Sequence, residues 1–137
     1  MFIKKLYKFS YTAGTIFLIL SIMMSFVPAF PAFAAQGSTK TSAGSCGAPV
    51  NKNHYTAGDT IVITFTGFDP NSTFPWKIVG NPGGASCDPG ITVASGDFNT
   101  DANGDACVEA YTVKADDCGE YSVDVEGGKG DNYRVVQ

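Results

Sequence analysis

The sequence predicts an all-β fold: a seven-stranded antiparallel β-sandwich with Greek-key connections, stapled by two disulfides and preceded by a cleaved export signal. Three observations carry this expectation. Short runs of alternating apolar and polar residues recur at intervals set by Gly, Pro, Asn and Asp clusters, with no useful helical period between them. Four cysteines all lie beyond an N-terminal apolar segment. That segment has the layout of a secretory signal.

In residues 1–34, Lys4, Lys5 and Lys8 form a basic start and "AGTIFLILSIMMSFV" an apolar stretch. "PAFPAFA" then ends in Ala32-Phe33-Ala34, which places small residues where signal peptidase reads them. A spanning helix needs about 20 apolar residues. Pro28 and Pro31 would break an extension of this one, so no stable membrane insertion is expected after cleavage. No cysteine follows the cleavage point directly, which argues against a lipid anchor.

Export changes the charge. The whole chain has nine bases and thirteen acids. Removing the three N-terminal lysines leaves six bases against thirteen acids, a net charge of −7. Such a domain repels phosphate backbones and anionic lipid, so nucleic acid is not an expected partner.

Residues 35–45, "AQGSTKTSAGS", read as a flexible leader of small polar residues. Residues 46–137 are then the folded domain. "APVNKNHY" (48–55) is expected to open it. In "TIVITFTGF" (60–68), Ile61, Ile63 and Phe65 share one face while Val62, Thr64 and Thr66 share the other. "FPWKIVG" (74–80), "GITVASGDF" (90–98) and "ACVEAYTV" (106–113) follow. "EYSVDVE" (120–126) alternates cleanly, with Tyr121, Val123 and Val125 inward, and "NYRVVQ" (132–137) closes the chain. Two facing sheets would hide apolar faces that a single sheet would expose.

Cys46, Cys87, Cys107 and Cys118 are spaced by 41, 20 and 11 residues, without the close pairs of a zinc site. An even number in a short exported chain reads as two disulfides, with three possible connectivities.

"YTAGDTIVITFTGFDPNSTF", with the later "TDANGDACVEAYTV" and "CGEYSVDVEG", resembles bacterial secreted and cell-surface immunoglobulin-like domains. The resemblance covers most of residues 46–137 and implies an Ig-like Greek-key sandwich. It departs from antibody domains, because residues 60–68 contain no cysteine and Tyr121 follows Cys118 where a tyrosine corner would precede a cysteine. Within such a sandwich Cys46 and Cys107 belong to one pole and Cys87 and Cys118 to the other. Pairing Cys107 with Cys118 would have to span the fifth strand, about 20 Å. The expected pairs are therefore Cys46–Cys107 and Cys87–Cys118.

"DFNTDANGDA" (97–106) raises the question of a cation. Asn99, Asp101, Asn103 and Asp105 carry oxygens in the alternating pattern of a calcium loop, with Gly104 at its bend. The pattern fails at the closing position, where Ala110 stands and Glu109 comes one residue early. Asp101-Ala102-Asn103-Gly104 fits a hairpin turn without adjustment, and that is the expectation.

Little else suggests chemistry. His54 has no second histidine to share a metal or triad with, Asp116 and Asp117 read as solvated loop charges, and the glycine-rich "NPGGASCDPG" lacks a lysine and a following helix. No enzyme activity and no cofactor are expected. The expected role is a non-catalytic binding or structural module at the cell surface, outside the cell, whose partner is a protein or a glycan. The alternative is a small-molecule carrier similar to the apoproteins of enediyne antibiotics, with Phe68, Phe74, Trp76 and Tyr111 lining an apolar cleft. Their short-loop disulfides are not reproduced by the spacing here.

Overall fold

The computed structural model describes residues 36–137, so the signal peptide expected at 1–34 lies outside the described residues. These residues form an all-β fold of two sheets. In chain order the strands are β1 (Gly37–Ser45), β2 (Ala48–Val50), β3 (His54–Tyr55), β4 (Thr60–Thr66), β5 (Thr73–Gly80), β6 (Thr92–Asn99), β7 (Ala106–Thr112), β8 (Gly119–Val125), β9 (Gly128–Lys129) and β10 (Asp131–Val135). One sheet runs β2-β1-β4-β7, with β9 against β1. The other runs β3-β10-β8-β5-β6.

The inner faces follow the alternation of the sequence. Ile61, Ile63 and Phe65 of β4 meet Ile78, Phe98, Tyr121 and Val123 of the opposite sheet in one core cluster. Phe65 stacks on Phe98 at a centroid distance of 3.6 Å, and Phe68 packs edge-on against both. At the other end Tyr133 stacks on Tyr121 and meets Tyr55 edge-on. Each fully buried side chain of this size stabilises the fold by about 1.5–3 kcal/mol.

Ten strands replace the seven expected, and two short pairs, β1–β9 and β3–β10, are parallel, so the sheets are not wholly antiparallel. The expected first strand at 48–55 is two fragments, β2 and β3, which join different sheets. A further short strand, β9, stands between β8 and β10.

The largest correction concerns residues 35–45. Residues 37–45 of this segment are no flexible leader: β1 spans Gly37–Ser45 and pairs with β4 from Ser38↔Thr66 to Ala43↔Ile61. Thr39, Thr41 and Ala43 share a register face with Phe65, Ile63 and Ile61, the core face. Composition misleads here because close packing demands small residues. A β-carbon on Gly37 would fall 2.3 Å from the Phe68 ring, and one on Gly128 of β9 would fall equally close to the same ring.

The disulfides join Cys46 to Cys107 and Cys87 to Cys118. Cys46 does not precede the first strand. It occupies, with Gly47, the two-residue turn between β1 and β2. Lys40 and Cys107 are both opposite Thr64, so a straight β1 would carry Cys46 about 20 Å beyond that level. The Cα–Cα distance to Cys107 is 5.8 Å. The chain turns back at Gly44, whose φ of 104° suits glycine, and the hairpin tip crosses the outer face of β4. The Cys46 N–H donates to Glu109 Oε1 at 3.2 Å. Val62 and Ser42 face outward by register, yet both are buried. The second bridge ties the β5–β6 loop to the start of β8, where the Cys87 N–H donates to the Cys118 carbonyl at 2.9 Å.

Candidate functional site

Of the four candidate ligands in the 97–106 stretch, Asn99, Asp101 and Asp105 each have a side-chain oxygen engaged with the chain itself. Asp101 Oδ1 accepts from the N–H of Asn103 at 2.8 Å and of Asp105 at 3.0 Å. These amides hold its carboxyl below the usual carboxylate range. Asp105 Oδ1 accepts from the Gly67 N–H at 3.2 Å, and Asn99 Oδ1 from the Thr73 hydroxyl at 2.6 Å. The Phe68 N–H donates to the Gly104 carbonyl and the Asn71 N–H to the Asp101 carbonyl. The buried Thr100 hydroxyl donates to the Asp69 carbonyl at 2.6 Å. The stretch is thus a turn welded to the β4–β5 loop. Gly104, at φ 82°, cannot be replaced without loss, since a β-carbon would fall 2.0 Å from the Phe68 carbonyl oxygen. Among the described residues, no group of three or more His, Cys, Asp or Glu is placed to hold a metal ion.

The four aromatics named for an apolar cleft do not share one. Phe68 and Phe74 pack on each other at 5.2 Å and, with Phe65 and Phe98, fill one end of the core. Trp76 is buried in the same cluster, its ring over Gly96. Tyr111 is on the opposite sheet, opposite Ile61. Its hydroxyl donates to Asp117 Oδ2 at 2.8 Å.

Asp117 corrects another expectation. It is 4% exposed, not a solvated loop charge, and the same oxygen accepts from the Lys114 N–H at 2.7 Å. A matching pair joins Tyr121 to Asp88, the hydroxyl donating at 2.6 Å. Burial, and then the hydrogen bond to each carboxylate, push both phenols above their ordinary range. Tyr121 and Asp88 are 33 residues apart, so nothing local announced their pairing. His54 is exposed on β3.

Two of the open concavities bear on ligand binding. One, of about 640 Å³, is on the outer face of β6-β5-β8, where Lys77, Asp97, Asp124 and Glu126 stand around Pro75 and Ser95. Lys77 pairs with Asp124 at 3.6 Å.

The other, of about 490 Å³, opens where β1 meets β10 and the β2–β3 connection. The two sheets are clasped here by Asp131, whose Oδ2 accepts from the Thr41 N–H at 2.7 Å and the Thr41 hydroxyl at 2.9 Å. Asn51, Asn53 and Asn132 contribute primary amides, and Lys40 and Lys52 contribute ammonium groups. Tyr55 and Tyr133 line the wall, 1% and 5% exposed, and neither hydroxyl has a hydrogen-bond partner. The Tyr55 hydroxyl is beside that of Thr41 but outside bonding geometry. Its pKa is raised, chiefly by burial, and further by the charges of Asp131 and Asp59.

The fold and these sites define a two-sheet, sandwich-like all-β protein with two disulfides, which suit an oxidising compartment. No protein-family model, no curated protein and no solved structure matches the chain.

Proposed function

We propose that the protein is a secreted, immunoglobulin-like extracellular module that works without catalysis, as a binding or structural domain at the cell surface. One observation carries this reading. The side chains that might have served reactions are committed to holding the chain together: Asp101 to turn amides, Asp88 and Asp117 to tyrosines, and all four cysteines to bridges. The surface open to solvent includes a polar cleft of about 490 Å³, the kind of feature that binding modules present. The signal-like N-terminus and the disulfides support export. Carriage of an aromatic small molecule has less support, since Phe68, Phe74 and Trp76 serve the core.

Expression of the full chain in a secreting host tests the reading. It expects an exported, fully oxidised product that sediments with envelopes of the source cells and leaves ester, glycoside and peptide substrates intact. Retention inside the cell, or turnover of any of those substrates, refutes it.

A further inference from the structure

We infer that the cleft between β1, β10 and the β2–β3 connection is a binding site for a neutral saccharide. The inference deepens the proposed role as a binding module and rests on it.

The first argument is the unmet hydrogen bond. A buried hydroxyl without a partner costs about 1–3 kcal/mol, so such groups are rare in folded proteins unless water or a ligand completes them. Tyr55 is 1% exposed, its hydroxyl is unpartnered, and it stands beside Thr41 and Asp131 in the wall of the cleft. A ligand hydroxyl entering there can accept from Tyr55 while donating to a carboxylate or amide oxygen. A saccharide hydroxyl does both at once.

The second argument is charge. Lys52 is neutralised by Asp59, whose Oδ2 is 2.6 Å from its Nζ. The lining then holds one further ammonium, Lys40, and one further carboxylate, Asp131. These balance, and no net field selects an anion or a cation. Three primary amides, each both donor and acceptor, match a ligand of the same dual character. The carboxylate of Asp131 would repel an acidic ligand at close range.

The third argument is size and shape. A volume of about 490 Å³ falls in the range of small-molecule sites, about 300–1,000 Å³. The Tyr133 ring in its wall is stacked on Tyr121 and 5% exposed, so a ligand here is held by polar groups and not by an aromatic platform. The outer-face concavity on β6-β5-β8 also has an unmet buried group in its lining, the Trp76 indole N–H, but that group only donates, and there the carboxylates of Asp97, Asp124 and Glu126 outnumber the one ammonium, Lys77.

The test is a backbone amide NMR titration of the protein purified after expression of the full chain. The probes are cellotetraose, maltotetraose, xylotetraose and chitotetraose, with tetragalacturonate as the acidic comparator, each to 20 mM. The inference expects at least one neutral probe to shift residues 40, 51–53 and 131–132 at saturation. It also expects Lys40→Ala and Asn132→Ala, both exposed positions, to weaken that probe about tenfold with unchanged melting temperatures. Tyr55→Phe should weaken it while leaving the core ring in place. Silence from every neutral probe, shifts that survive these substitutions, or tighter binding of the acidic probe would overturn it. Chromatography of the probes separates this result from the parent reading. Cleavage of a bound probe refutes the non-catalytic role and leaves the binding site standing, whereas silence removes the site alone.

Discussion

The ring of Phe68 fills the space that a β-carbon on Gly37 would need, its nearest carbon only 2.3 Å from that position. Phe68 follows β4 and Gly37 opens β1, so this contact locks the start of β1 onto the aromatic end of the core. Gly37→Ala should therefore destabilise the protein by about 1–3 kcal/mol, the usual cost of overpacking a filled site. The exposed neighbour Ser38→Ala should stay within about 0.5 kcal/mol of wild type. Urea unfolding midpoints measure both. Equal midpoints for wild type and Gly37→Ala would mean that residues 37–45 do not dock.

The Cys46–Cys107 bridge holds the β1–β2 hairpin tip over the outer face of β4. Replacing both cysteines by serine should cost about 2–4 kcal/mol. It should also speed amide hydrogen exchange at Ser42 and Val62 more than at Val123, on the far sheet. Uniform acceleration across both sheets would contradict the local covering described for this hairpin.

Tyr111 and Tyr55 make a paired test of the buried hydroxyls. Tyr111→Phe strips a donor from the buried Asp117 carboxylate and should cost about 1–3 kcal/mol. Tyr55→Phe removes a hydroxyl that has no protein partner and should stabilise the free protein, by up to about 1–3 kcal/mol. Thermal melts of the two variants should separate clearly, with Tyr111→Phe the lower.

The phenols also set the alkaline limit. Tyr55, Tyr111, Tyr121 and Tyr133 are all raised above 10, with burial the largest cause in each. Their contribution to stability is complete below the unfolded phenol value of about 10 and is lost as pH rises through the folded values. Phenolate absorbance of the mature domain, which holds only these four tyrosines, should accordingly stay low near pH 10 and rise only as the fold opens. Smooth ionisation of all four near pH 10 in a folded protein would disprove this.

Asp101 acts at the acid end. Its folded value is depressed by the Asp105 and Asn103 amides. The stabilisation is present above the unfolded carboxylate value of about 3.9 and fades as pH falls through the lower folded value. Asp101→Ala should lower the melting temperature at pH 7, and the gap from wild type should narrow towards pH 2. Added calcium or EDTA should move neither protein's melting temperature, because Asn99, Asp101 and Asp105 each have a side-chain oxygen held by the chain's own N–H or O–H donors.

Local alternation by itself determined β4, β5, β7 and β8 to within about two residues, since period-two burial on a half-buried strand is written residue by residue. The tight turn at Asp101 was equally legible, because turn chemistry depends on neighbours a few positions away, but the hairpin expected of it was not formed: it links β6 to β7 of the other sheet. What the tertiary structure alone decided was everything that depends on distant partners. Gly37 looks like linker until Phe68 lies against it, and Asp117 looks solvated until Tyr111 covers it. The polar cleft draws on residues 40–41, 51–55 and 131–133, three segments with no shared motif. A sequence fixes periodicity through covalent neighbours. Burial and unmet hydrogen bonds arise only when the two sheets close on each other and choose which small or polar side chains lie inside.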